Sequence, residues 1–465
     1  MTAASGRDRR ATVLAILVVI MPLLALVPKY FLIQRELGDS GQKIAATGFG
    51  FGDYVGSLLT SGEFKSCSRQ PFTPCQPDRC LYATRMPVLP LLYAGLAHLV
   101  GESSAPIAFF KCLLTALVLA GMLAVLVRDV RPSLAGVVVL YILYFGPQAL
   151  KHGASIVYEE GLLLDLELSL AIAISYLLRP ALAATDSRRV VMGFVALALV
   201  VLMYFVKTTA LLMLVVVVGI FLARARAGWR LNLAAAALIL VPFAAWGIHT
   251  ASSSGAVHLS SSWNGENLFR GYNSDSVAIY PQISLDRIFD SRSAVLDDGT
   301  AVLLSDDAAH QQCFVDEWAW NESYSHRAIA WLEGHPLRTG LFLMHKLWVT
   351  LVEIRHTPYH VSATDKTPDY PRAVELAMLV WMAVARLISF VLLCRLVLEI
   401  AGERRSDALW MLALLGAAFA PYIIVFGYQR HVVPLLVMAG GLLVARYLVE
   451  PRHARVTVQL PCTVT

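Results

Sequence analysis

Ten long apolar runs, separated by short polar stretches, constrain the fold of this chain more than any motif does. About 20 apolar residues are needed for a helix to cross a bilayer. Only 15% of the residues are charged and 57% are hydrophobic, whereas soluble domains are about 25% charged. The sequence therefore predicts an all-α polytopic membrane protein with spans near 11–33, 105–127, 133–150, 156–178, 190–206, 208–223, 231–249, 373–396, 408–426 and 433–449.

Basic residues indicate how these spans are oriented. They precede the first span and fill alternate loops, in the segments 7–10, 128–131, 179–189, 224–230, 404–405 and 452–455. Such clusters mark the cytoplasmic side, and all of them fall on one side if every run crosses. We therefore expect a multi-pass protein of the bacterial inner (plasma) membrane with both termini in the cytoplasm. The net charge of +5 follows from these clusters and does not indicate nucleic-acid binding.

This topology divides the chain into three predicted parts. Residues 1–249 form an N-terminal transmembrane module that includes a first periplasmic loop, 34–104. Residues 250–372 form a large periplasmic loop region, and residues 373–465 form a C-terminal transmembrane module. Within the two loops we expect interfacial helices and mixed local structure.

Three cysteines lie close together in the first predicted periplasmic loop: Cys67, Cys75 and Cys80. Cys313 lies in the second loop. A disulfide within the trio is expected in an oxidising compartment, but the spacing does not determine its pairing. Zinc is the alternative ligand, although the spacing fits no standard zinc motif and no His lies nearby. The sequence shows no metal-ligand spacing.

Cationic residues at the predicted periplasmic ends of the spans are candidates for binding an anion. Arg430 and His431 lie in the turn between the last two spans, Lys207 at the junction of the fifth and sixth spans, and Arg85 in the first loop. Each residue alone could simply reach toward the interface. Because charges at bilayer depth are costly without a partner, several together predict one electropositive pocket for a phosphate.

Two acids are candidates for the reaction itself. Asp39 follows the first span beside Gly38 and Gly41, where a carboxylate could take a proton from an acceptor hydroxyl or amine. A divalent cation could also be recruited to Asp39. Glu160 begins the fourth span near the same face. The structural alternatives are a turn or capping residue for Asp39 and a helix-start acid favoured by the helix dipole for Glu160.

The ordered set of these motifs resembles the GT-C superfamily of polytopic glycosyltransferases, in particular the family of protein O-mannosyltransferases and lipid A aminoarabinose transferases. The resemblance is spread over most of the chain. It rests on Asp39 after the first span, on Arg85-Met86-Pro87 running to Gly101, on Glu160 with Leu162, on Lys207, on Asn264-Gly265 with Gly271-Tyr272-Asn273, on Ala328 to Pro336 with Lys346, and on Arg430-His431 with Pro434. The chain departs from the family pattern in having a single acid after the first span and His431 where a Tyr is usual.

The resemblance implies an inverting glycosyltransferase that moves a sugar from a polyprenyl-phosphate donor to an envelope glycan, lipid or protein on the periplasmic face. Asp39 would then be the base, and Glu160 would orient the sugar or the acceptor. The donor phosphate would be held by Arg85, Lys207, Arg430 and His431. The second loop would close over the substrate with Trp263, Asn267 and Tyr272.

Three other functions remain open at the level of sequence. A lipid or polysaccharide transporter or flippase would show related halves and broken spans in matching positions, and neither is found. A polymerase or ligase that uses diphosphate-linked donors also fits the cations. The third alternative is a non-catalytic assembly partner.

Overall fold

The computed structural model describes residues 2–38, 41–46, 51–67, 73–74, 80–179, 182, 185–283, 285, 288, 293–295, 300–304, 313–353, 371–402 and 405–451. Helices dominate this part of the chain. The helices that precede the second loop are α1 (Thr2–Leu24), α2 (Leu26–Ile33), α3 (Phe51–Ser61), α4 (Val88–Val100), α5 (Ser104–Asp129), α6 (Leu134–Tyr144), α7 (Pro147–Ala154), α8 (Glu160–Leu178), α9 (Asp186–Val206), α10 (Leu211–Arg224) and α11 (Trp229–Ser254).

The second loop and the C-terminal module add seven described helices. They are α12 (Asn264–Gly271), α13 (Ser274–Ile279), α14 (Glu317–Gly334), α15 (Pro336–Leu351), α16 (Arg372–Ile400), α17 (Arg405–Ile424) and α18 (Gln429–Tyr447). Short 3₁₀ turns cover Ile44–Ala46 and Thr208–Ala210.

Eight helices of the described chain are long and apolar enough to span a membrane, or nine if one bent pair counts as a span. This confirms a mostly helical, multi-pass membrane protein, with fewer full-length spans in the described residues than the ten predicted. The predicted third span, 133–150, is broken between α6 and α7, which meet at 54°, because the residue before Pro147 is disfavoured in helical conformation. The predicted sixth span is the shorter apolar helix Thr208–Arg224.

The centre of the bundle is formed by α8 and α18, which pack against each other. All residues in the most apolar stretch of α8 are buried, and so are 89% of those in the corresponding stretch of α18. The buried share is only 17% in α11 and 33% in α16. Helices that are apolar all round belong at the centre of a bundle. Both central helices begin at the same end of the bundle, so Glu160 and His431 meet there.

Outside the bundle, the two predicted loop segments pack on each other. β1 (Thr73–Pro74) of the first segment pairs in parallel with β5 (Cys313–Phe314) of the second. β2 (Val130–Pro132) pairs with β6 (Val449–Pro451), and β3 (Ser293–Val295) with β4 (Ala301–Leu303), both antiparallel. A second hydrophobic core joins Leu81 to aromatic residues of the second loop and to Phe426 and Tyr428.

A disulfide and a buried carboxylate hold the segment 80–86, which we call the strap. Cys67 is bonded to Cys80, which confirms the predicted disulfide; Cys75 lies outside the described residues. Glu317 accepts hydrogen bonds from the backbone N–H groups of Tyr82 and Ala83 at 3.0 and 3.1 Å. Burial raises the pKa of Glu317, although these hydrogen bonds oppose the shift. The strap is therefore fixed at its first residue and near its middle.

Candidate functional site

A cavity of about 690 Å³ lies where α8 and α18 begin. Its wall also includes the junction between α9 and α10, the end of α17, the strap, and helices α12 and α14 of the second loop. Six of the residues predicted for the site line this cavity: Arg85, Lys207, Trp263, Asn267, Arg430 and His431.

Glu160 lies beneath the cavity, behind its basic wall, which we define as Lys207 and Arg430. Its Oε1 accepts a hydrogen bond from Lys207 Nζ at 2.6 Å and lies 3.3 Å from His431 Nε2. The side chain of Glu160 is 1% exposed and that of Lys207 is 19% exposed. Burial opposes the charge on Lys207, but the carboxylates of Glu160 and Glu159 outweigh it and raise the pKa of Lys207. Lys207 is therefore a cation at the cavity wall.

The hydrogen bonds of His431 determine its protonation. The backbone N–H of Tyr428 donates to His431 Nδ1 at 3.3 Å, so Nδ1 carries no proton. Because Nδ1 accepts, the ring is not the doubly protonated cation. At the other nitrogen, Nε2 accepts from Arg430 Nε at 3.1 Å and lies 3.3 Å from Glu160 Oε1. His431 is therefore a neutral ring packed between Arg430 and Glu160.

Arg430 extends the basic wall above His431. Its guanidinium lies 4.5 Å from the ring centre of Tyr158, and its Nε is 3.1 Å from His431 Nε2. The planar fork of a guanidinium matches two phosphate oxygens. Arg430 and Lys207 both line the cavity, although 223 positions separate them in the sequence.

Arg85 enters the cavity from the strap. Its guanidinium lies 4.1 Å from the ring centre of Trp263 and 4.8 Å from that of Phe51. Its Nη1 is 3.9 Å from Glu159 Oε1. Glu159 Oε2 is likewise 3.9 Å from Lys207 Nζ. Glu159 therefore connects the cation of the strap to the cation of the bundle.

Tyr272, predicted as part of the substrate loop, is placed away from the cavity lining. It is 2% exposed, and its hydroxyl donates to the carbonyl oxygen of Ile424. Its ring covers Lys346 Nζ at 3.7 Å. Lys346 Nζ in turn donates to the carbonyl oxygens of Gly271 and Val425, both at 2.7 Å. Tyr272 and Lys346 thus support the ends of α12 and α17 that border the cavity.

The carboxylate that the sequence offers as base, Asp39, lies outside the described residues. Glu159 directly precedes Glu160 and lines the cavity, although it is not among the residues predicted for the site. Neither are Tyr158 and the ion pair of Arg270 with Glu266, which line the same cavity. All four lie within two positions of a predicted residue, and this proximity was the available signal. Within the described ranges, no group of three or more His, Cys, Asp or Glu residues could hold a metal ion.

No family model and no curated protein sequence matches the chain. Two solved structures are similar to it: ArnT from Cupriavidus metallidurans bound to undecaprenyl phosphate, at 14% identity, and the same protein in the apo state, at 13% identity. Both comparisons cover 91% of this chain and 77% of that chain, with a TM-score of 0.35. The identities and the TM-score are too low to assign a reaction or a ligand to this chain.

Proposed function

We propose that this protein is an inverting glycosyltransferase that takes a sugar from a polyprenyl-phosphate donor and transfers it to an envelope glycan, lipid or protein. The observation that carries the proposal is the basic wall of Lys207 and Arg430, supported by Glu160 and His431, at one end of a membrane-spanning bundle. Cations at that depth are favourable when an anionic group of a membrane-borne ligand meets them.

The charge of the cavity supports a phosphodiester as that ligand. Among the described residues, Arg85, Lys207, Arg270 and Arg430 line the cavity together with the carboxylates of Glu159 and Glu266. With Glu160 included and His431 neutral, one positive charge is in excess. A polyprenyl-phosphate sugar carries one negative charge at its phosphodiester. A diphosphate-linked donor would bring more, so the balance favours the monophosphate.

The apolar part of the cavity supports a lipid-linked donor. Leu211, Leu212 and Ile424 line the cavity wall, and they are 46%, 41% and 47% exposed. Exposed apolar side chains beside a cavity of a membrane protein suit contact with a lipid chain. A polyprenyl chain could therefore lie along α10 and the end of α17 while its phosphate reaches Lys207.

The reaction follows from this placement. An acceptor hydroxyl or amine attacks the anomeric carbon of the sugar, and the bond from that carbon to the phosphate oxygen breaks. The polyprenyl phosphate leaves with the electron pair, and Lys207 and Arg430 stabilise the added charge. A carboxylate takes the proton of the acceptor. Asp39 is the base that the sequence resemblance implies, and Glu159 is the second candidate because it lines the cavity.

The location of the reaction follows from the basic loops of the sequence. We infer that the cavity faces the periplasm of a bacterial inner membrane and that both termini are cytoplasmic. On this proposal, the division into modules 1–249, 250–372 and 373–465 separates two membrane parts from the loop region that covers the substrate.

The test uses full-length protein in nanodiscs with undecaprenyl-phosphate-linked sugars, and it measures release of undecaprenyl phosphate. We expect release in the wild type and a loss of at least 100-fold in Asp39→Asn, with Glu159→Gln as the matched carboxylate variant. Full activity of Asp39→Asn with loss in Glu159→Gln would transfer the role of base to Glu159. No release with any linked sugar, and no binding of undecaprenyl phosphate, would reject the function.

A further inference from the structure

The part of the cavity wall that α12 and α14 form carries three neutral polar side chains. They are the carboxamides of Asn264 and Asn267 of α12 and of Asn321 of α14. A close approach holds the two helices in register, since a Cβ at Gly265 would lie 1.9 Å from the carbonyl oxygen of Asn321. The amide wall, which we define as Asn264, Asn267 and Asn321, therefore belongs to two closely packed helices.

Hydrogen bonds to the side-chain oxygens fix the orientation of two of these carboxamides. The backbone N–H of Gly265 can only donate, and it donates to Asn321 Oδ1 at 2.7 Å. Thr208 and Ser261 donate to Asn264 Oδ1 at 3.1 and 3.3 Å. The Nδ2 groups of Asn264 and Asn321 are left without a protein partner in the described part of the chain. Each therefore offers two N–H donors to a ligand.

The amide wall begins next to the basic wall, because Thr208 directly follows Lys207 and bonds to Asn264. In the proposed donor, one oxygen joins the phosphate to the anomeric carbon. A sugar whose phosphate contacts Lys207 must therefore lie within one ring's width of that contact. The nearby carboxylate Glu266 is already paired with Arg270, so the amide wall itself supplies neutral groups to that ring.

We propose that the amide wall binds the hydroxyl groups of the donor sugar and selects a neutral, hydroxyl-bearing pyranose over a cationic amino sugar; this inference rests on the proposed function. Carboxamide N–H groups donate to hydroxyl oxygens, and a site built for such hydrogen bonds discriminates strongly against ligands that cannot form them. An ammonium group would instead require a carboxylate acceptor at the same place.

The experiment measures Kd in nanodiscs for undecaprenyl phosphate alone, for its glucose-, galactose- and mannose-linked forms, and for its 4-amino-4-deoxyarabinose-linked form. We expect the wild type to bind at least one hexose-linked lipid about tenfold more tightly than the bare lipid and the amino-sugar lipid. In Asn267→Ala and Asn321→Ala, that preference should fall by about three- to tenfold for each lost hydrogen bond. The Kd for the bare lipid should stay at the wild-type value.

Asn267→Ala is the safer variant for folding, since its side chain makes no hydrogen bond in the described part of the chain. Asn232→Ala is the matched control, because Asn232 is an exposed Asn that bonds to Ala227 away from the cavity. Unchanged sugar preference in both cavity variants would overturn the proposal. Equal weakening of bare and sugar-linked lipids, or a wild-type preference for the amino sugar, would overturn it too. Failure of the wild type to bind bare undecaprenyl phosphate would instead overturn the proposed function itself.

Discussion

Lys207 Nζ lies 2.6 Å from Glu160 Oε1, although 47 positions separate the two residues in the sequence. The carboxylate is almost fully buried, whereas the ammonium lines the cavity. The pair therefore has two tasks that variants can separate. It neutralises a charge inside the bundle, and it holds a cation at the proposed phosphate position.

Lys207→Met should lower both stability and activity, because it leaves Glu160 buried without its main partner. Breaking a buried ion pair in this way costs about 3 kcal/mol. Thermal unfolding in nanodiscs should show a clearly lower unfolding temperature for Lys207→Met than for the wild type. The double variant Lys207→Met/Glu160→Gln should recover most of the stability and none of the transfer. Wild-type transfer by the double variant would remove Lys207 from phosphate binding.

Arg430→Lys should retain the charge but lose the two-point contact, since an ammonium cannot match the guanidinium fork. We expect a tenfold or greater loss of kcat/KM in Arg430→Lys and a larger one in Arg430→Gln. The control is Arg395→Gln, which changes an exposed Arg of α16. Steady-state transfer rates would measure the effect, and equal rates in all three variants would contradict the assignment.

Lys346→Met should destabilise the loop region, although Lys346 does not line the cavity. The variant leaves the carbonyl oxygens of Gly271 and Val425 without their donor at the ends of α12 and α17, at about 1–3 kcal/mol for each unsatisfied group. Burial lowers the pKa of Lys346 to about 6. The two carbonyl oxygens and the Tyr272 ring act in the opposite direction, because they stabilise the ammonium. Lys43→Met is the control, because Lys43 forms an exposed ion pair with Glu102 worth less than about 1 kcal/mol. Similar unfolding temperatures for the two variants would show that Lys346 has no such role.

Reducing the disulfide Cys67–Cys80 should loosen the strap and weaken the contact of Arg85 with the donor. The bond closes a loop with a sequence separation of 13, and loops of this size contribute about 3 kcal/mol. We expect Cys67→Ser/Cys80→Ser to unfold at a lower temperature and to raise KM for the donor. Cys394→Ser, at a free cysteine, should leave both values unchanged. Insensitivity of the wild type to reductant in both measurements would contradict this role of the strap.

The sequence by itself determined the class of the protein and most of the candidate residues. Apolar runs of bilayer length allow few structures besides a helical bundle, and the basic residues at the ends of those runs identified Lys207, Arg430 and His431. The proximity of Cys67, Cys75 and Cys80 was likewise sufficient to predict a disulfide, though not its partners.

Only the tertiary structure decided which residues meet. It showed that α6 and α7 form a bent pair, that Tyr272 supports Lys346 rather than lining the cavity, and that Glu159 joins Arg85 to Lys207. Local composition reports whether a residue favours lipid, water or a turn. Contacts between residues far apart in the chain depend on how α8 and α18 pack, and that packing is a property of the whole bundle.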